Sequence, residues 1–168
     1  RIETIKPNRL SINMIFPNEQ VVGKGISNSI VKVKTRWLNG ASTPNRKAIT
    51  EVKLNRSQYT FKNYPAYTFN SSTDDFDGET DSEGNFSFNL NEIKTENAPG
   101  ILNATFTTRV FEESGDFSIA TYTTHYSPYT RYAGIRLPDS EDGWYPTTEN
   151  VKLSGVLVTP LGQKAPVN

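Results

Sequence analysis

The residues that could do chemistry are few, and the most conspicuous are acidic. Asp74, Asp75, Asp77, Glu79, Asp81 and Glu83 crowd one stretch of the chain. Oxygen-rich loops bind Ca²⁺, and Asp75-x-Asp77-x-Glu79 imitates the opening of an EF-hand loop. Thr80, however, stands where that loop needs Gly for its sharp turn, and Phe86 stands where it needs a bidentate Glu. Asp75, Asp77, Glu79 and Asp81 are therefore weak metal candidates, and a solvated turn is the expectation. His125 is the single histidine. It sits at the end of a Thr/Tyr-rich stretch, and the chain has no Gly-x-Ser-x-Gly elbow to supply a nucleophile. Glu112 and Glu113 could be cast as a glycosidase pair, but neighbours on a strand point to opposite faces. With no cysteine, thiol nucleophiles, thioesters, disulfides and zinc–thiolate sites are all absent from this chain. The expectation is a chain with no catalytic residue and no cofactor, hence not an enzyme.

The elements that hold these residues read as strands. Leu10, Ile12, Met14 and Phe16 alternate with Arg9, Ser11 and Asn13, and Val31, Val33 and Trp37 alternate with Lys32, Lys34 and Arg36. The same period recurs at Val52 and Leu54, at Tyr59 and Phe61, at Tyr67 and Phe69, and at Phe86, Phe88 and Leu90. Leu102, Ala104, Phe106 and Val110 continue it, and 117–126 is a further strand. Turn pairs such as Asn39-Gly40, Glu83-Gly84, Pro99-Gly100 and Ser114-Gly115 separate the runs. No stretch shows the 3.6-residue period of an amphipathic helix. About seven strands with no helix between them predict an all-β, antiparallel β-sandwich. The hydrophobic fraction of 35% suits that architecture, because only one face of each strand must be apolar. Lys plus Arg equals Asp plus Glu, so the net charge is zero, and neither nucleic acid nor an anionic membrane is an expected partner.

Two units are expected. A hairpin tip at Phe111-Glu112-Glu113-Ser114-Gly115-Asp116 joins two long strands, and Ser127-Pro128-Tyr129-Thr130-Arg131-Tyr132 then reads as a crossover. A fresh alternating strand follows over 151–158, with a turn at Pro160-Leu161-Gly162. A lone strand or hairpin is marginal in water, so the expectation is one domain over 1–128 and the first strands of another over 129–168. Tyr126, Tyr129, Tyr132, Trp144 and Tyr145 gather around this crossover. Such rings pack against a partner domain or stack on sugars, and interdomain contact is the reading preferred for Tyr126, Tyr129, Tyr132 and Trp144.

The ordered set Thr108-Arg109-Val110-Phe111-Glu112-Glu113-Ser114-Gly115-Asp116-Phe117-Ser118, Tyr126-Ser127-Pro128-Tyr129 and Tyr132-Ala133-Gly134-Ile135-Arg136 resembles bacterial α2-macroglobulin-like proteins. Asn8-Arg9-Leu10-Ser11-Ile12 and Thr80-Asp81-Ser82-Glu83-Gly84-Asn85-Phe86 extend the resemblance. It implies a seven-stranded, fibronectin-III- or immunoglobulin-like macroglobulin domain, stacked with similar domains in a large protease-trapping protein. It also implies a periplasmic or cell-surface location, with neighbouring domains and trapped proteases as partners. Members of that family trap by cleavage of a bait segment, and many tether the protease through a Cys–Gln thioester. This chain has no cysteine for the thioester and no long insertion resembling a bait, so the resemblance makes it wall rather than trap. The alternative from another class is a cell-surface adhesin or carbohydrate-binding module built on the aromatic cluster.

Overall fold

The computed structural model describes residues 7–56, 61–63, 65, 80–95, 98, 100–140, 145 and 150–166. Its strands are β1 (Leu10–Ile15), β2 (Val21–Gly23), β3 (Ile30–Trp37), β4 (Ala48–Arg56), β5 (Asn85–Asn89), β6 (Leu102–Phe111), β7 (Phe117–Ser127), β8 (Tyr132–Arg136) and β9 (Ser154–Val158). They form a three-stranded sheet in the order β1-β3-β5, a four-stranded sheet in the order β2-β7-β6-β4, and the separate pair β8-β9. The chain changes sheet at each step from β1 to β6. The alternation of side chains then turns one face of every strand toward the other layer. The only helical element among the described residues is a short 3-10 turn at Leu90–Glu92, and no helix there is long and apolar enough to cross a membrane.

The core follows the period-2 reading. Val31 and Val33 from β3 and Phe86 and Phe88 from β5 face Val52 and Leu54 from β4 and Leu102, Ala104 and Phe106 from β6. Ile12, Met14 and Phe16 pack against this cluster from the β1 side. Phe106 is central: its ring meets Phe16 edge-on at 4.8 Å and Phe88 at 6.0 Å. Buried hydroxyls are paired within the sheets, as where Thr50 and Thr108, opposite each other on β4 and β6, share a bond of 2.8 Å.

Three details depart from the sequence reading. The sandwich is not antiparallel throughout, because β2 runs parallel to the end of β7, Val21 beside His125 and Gly23 beside Ser127. Three residues ending in Gly carry no alternation to read. β8 also went unrecognised, since its five residues include Gly134 and expose Ala133 and Ile135. Phe61 is buried but lies outside any strand. Tyr59, Tyr67 and Phe69 lie outside the described residues. At the other end of β7, Ser118 Oγ accepts the N–H groups of Arg9 and Leu10, both at 3.0 Å. Asn8 exchanges two bonds with the Ile119 backbone, so the lead into β1 is tied to the edge that β2 leaves uncovered.

Candidate functional site

The crossover between β7 and β8 is where the structure concentrates directed contacts. Tyr126 closes the sandwich: its ring belongs to the main core cluster and its hydroxyl donates to the Leu90 carbonyl at 2.9 Å. Burial, with Tyr132 as a second cause, pushes its pKa from 10.0 up to about 12. The next residue, Ser127, is fully buried and holds three segments together. Its carbonyl accepts the Lys24 N–H at 2.8 Å, just past β2. Its hydroxyl donates to the Tyr129 carbonyl at 2.6 Å and bonds the Tyr132 hydroxyl at 2.7 Å. The Tyr129 hydroxyl in turn donates to the carbonyl of Ala98.

Tyr132 begins a second apolar cluster, formed with Val158 of β9 and with Phe61 and Ile101 from the sandwich side. The Phe61 and Tyr132 rings lie 5.8 Å apart. Register pairs Tyr132 with Val158, so both strands of the β8-β9 pair present an inward side chain to this cluster. Close backbone approach completes the fit. Gly23 has φ +104, and a Cβ there would lie 2.5 Å from the Ser127 carbonyl oxygen. Gly25, at φ +81, lies against both Thr130 and Pro160. Only glycine meets both demands at these two positions.

The predicted site residues divide accordingly. Tyr126, Tyr129 and Tyr132 come together, but Tyr126 and Tyr132 are buried, with exposures of 0% and 5%. That leaves a sugar platform only the half-exposed Tyr129 among these three. Tyr145 stands apart with its hydroxyl on the Pro138 carbonyl at 2.5 Å, and Trp144 lies outside the described residues. Among the acidic candidates, Asp75, Asp77 and Glu79 also lie outside them. Asp81 Oδ1 accepts the N–H groups of Asn85 at 2.8 Å and Glu83 at 2.9 Å, which shapes the turn into β5. Those N–H groups, Asn85 first, hold its carboxyl below the usual range. Among the described residues no His, Asp and Glu side chains converge as metal ligands.

The other reactive types are engaged structurally. Register sets His125 between Val21 and Asn103, neither an acid nor a nucleophile, and burial lowers its pKa from 6.5. Glu112 pairs with Arg9 at 2.9 Å and Glu113 with Arg46 at 2.7 Å, so the two carboxylates brace the hairpin tip from different neighbours. Sequence reasoning missed Ser127, Gly23, Gly25 and Ile101. The Gly-x-Gly spacing at 23–25 was a visible signal for a close approach, whereas nothing local marks Ser127 or Ile101.

Comparison with known proteins agrees with this architecture. The family model of the bacterial α2-macroglobulin MG5 domain matches residues 8–117. No curated protein sequence matches the chain. A crystal structure of a Salmonella α2-macroglobulin point mutant superposes with a TM-score of 0.57 at 16% identity, covering 98% of this chain and 12% of that one. Native Escherichia coli α2-macroglobulin, solved by cryo-EM, gives 0.54 at 16% identity, with coverages of 96% and 11%. The E. coli protein activated by porcine elastase gives 0.56 at 15% identity, with coverages of 94% and 15%. The chain thus spans only about an eighth of the length of the Salmonella structure. With the family model covering more than half of its residues, the chain belongs to the MG5-domain family of bacterial α2-macroglobulins.

Proposed function

We propose that this chain is a non-catalytic wall domain of a large, extracytoplasmic protease-trapping inhibitor. In this reading, 1–128 is the MG5 sandwich and 129–168 opens the domain that follows. The observation that carries it is the family match over residues 8–117. The proteases enter by analogy with relatives: E. coli α2-macroglobulin has been solved after activation by trypsin and by elastase.

The geometry supports a role in holding neighbours at a fixed angle. Ser127 ties the end of β7 to the loop after β2 and to Tyr132 of β8, so rotation between sandwich and hairpin would break several bonds at once. The far side of the β8-β9 pair supports the boundary. Ile135 of β8 is 61% exposed, and Leu137 and Leu153, just beyond the ends of β8 and β9, are 55% and 59% exposed, an apolar surface that further chain would cover. The sandwich itself has no such need on its inner faces, which already meet.

Two measurements test the reading. The full-length product, incubated with trypsin or elastase, is expected to leave cleavage of a small chromogenic substrate intact while abolishing cleavage of a large protein substrate. The 168-residue chain alone is expected to neither hydrolyse nor inhibit. Inhibition or hydrolysis by the isolated chain would overturn the wall role. For the boundary, a chain ending at Pro128 is expected to unfold cooperatively in denaturant. Its failure to fold would show that 129–168 belongs to the same domain.

A further inference from the structure

The outward face of the three-stranded sheet carries a row of cations with no ion pair among the described residues. On β3, buried Val31, Val33 and Thr35 alternate with exposed Lys32, Lys34 and Arg36. β3 is the middle strand, so its outward neighbours are fixed by register. Ile15 and Ser87 flank Lys32, Asn13 and Asn85 flank Lys34, and Ser11 lies beside Arg36. None of these can neutralise a cation. Elsewhere Arg109 is paired with Glu51 at 2.6 Å, Arg46 with Glu113 and Arg9 with Glu112, while exposed Lys53 stands without an ion pair among the described residues, but singly rather than in a row. Among the described residues no ion pair reaches Lys32, Lys34 or Arg36, and Arg36 makes only a bond from Nη1 to the Gly40 carbonyl at 3.2 Å.

The shape of the face matches its charge. The long cations stand over short Ser and Asn side chains, and an open trough of about 870 Å³ runs along them to the turn at Asp81 and Glu83. Same-face residues on a strand repeat at about 6.6 Å. An extended polypeptide repeats its own side chains at that same interval, so carboxylates at alternate positions would meet the row one to one. A single exposed ion pair contributes little, but several in register add and also fix direction. Other polyanions fit less well. An anionic membrane selects a broad basic surface, and this row is one strand wide with neutral flanks. Single-stranded nucleic acid needs rings for its bases to stack on, whereas Phe86 and Phe88 of this sheet face inward. The carboxylates of Asp81 and Glu83 also line the trough, so an acidic segment must keep clear of that turn.

We propose that the outward face of β3 docks an extended acidic polypeptide segment, whose alternating carboxylates pair with Lys32, Lys34 and Arg36. This goes beyond the wall role and stands independently of it, since it can fail while the full-length protein still traps proteases. The test is fluorescence anisotropy of the 168-residue chain with a labelled synthetic peptide of alternating Glu and Thr. Binding is expected to weaken as salt rises and to fall about tenfold in the double variant Lys32→Thr/Lys34→Thr. Lys53→Thr, on the outward face of the other sheet, is expected to leave it unchanged. A peptide of equal composition with its Glu residues in one block is expected to bind several-fold more weakly. Absence of binding, full retention in the double variant, or an equal loss in Lys53→Thr would overturn the proposal. So would equal or tighter binding of the block peptide, of phosphatidylserine vesicles, or of a single-stranded oligonucleotide of the same charge.

Discussion

Two of the three apolar clusters among the described residues are held by different physics. The main core joins valines, leucines and phenylalanines from both sheets, and its adhesion is non-directional. The handover cluster has Phe61, Ile101, Tyr132 and Val158 with Val156 packed against them, but bonds from the Ser127 and Tyr129 hydroxyls to carbonyls, and one between the Ser127 and Tyr132 hydroxyls, surround it. Hydrogen bonds fix angles as well as distances. The core therefore decides that the two sheets stay together, while the handover decides how the β8-β9 pair is oriented on them.

The comparison breaks most visibly at Phe106. Phe106→Ala empties the space between Phe16 and Phe88 and is expected to cost about 3–5 kcal/mol in urea denaturation. A loss below about 1 kcal/mol would mean the inner faces are loosely packed. At the handover the sharper variant is Gly23→Ala. It must accept φ +104 and a contact of 2.5 Å to the Ser127 carbonyl oxygen, so a loss of about 2–3 kcal/mol is expected. The regional signature matters more than the size. Amide exchange at Lys24 and along β8 should accelerate while the middle of β6, including Phe106, stays protected. Uniform acceleration would show one cooperative unit with no separate handover.

The same contrast explains what the sequence disclosed. Alternation along β3, β4 and β6 named Val31, Val33, Val52, Leu54 and Phe106 as core, because a strand with one buried face writes its burial into every second residue. The handover leaves no such mark. Ser127 is a serine next to a proline, and its worth depends on the loop after β2, more than a hundred positions away, and on Tyr132. Tyr126 and Tyr132 stand out by type and place, yet their burial was not legible. An aromatic in a Thr/Tyr-rich strand fits either face until the parallel partner β2 is known. β2 itself is too short to show a period.

Tyr126 lies where the two regions meet, with its ring in the core and its chain neighbour in the handover, so a variant there sharpens the boundary. Tyr126→Phe keeps the ring and removes the donor to the Leu90 carbonyl, an expected loss of about 1–2 kcal/mol at neutral pH. The alkaline behaviour gives a second readout. The folded-state pKa of about 12 is raised above the ordinary 10.0, so the folded chain keeps a proton that the unfolded chain releases. The contribution is therefore complete below about pH 10 and is lost as pH climbs toward 12. Two pKa units correspond to roughly 2–3 kcal/mol. Denaturation midpoints followed through that window should fall more steeply for the native chain than for Tyr126→Phe, closing the gap between them. Parallel slopes would mean that the hydroxyl is solvated rather than sealed in the sandwich, and the boundary between core and handover would then lie before Tyr126 instead of after it.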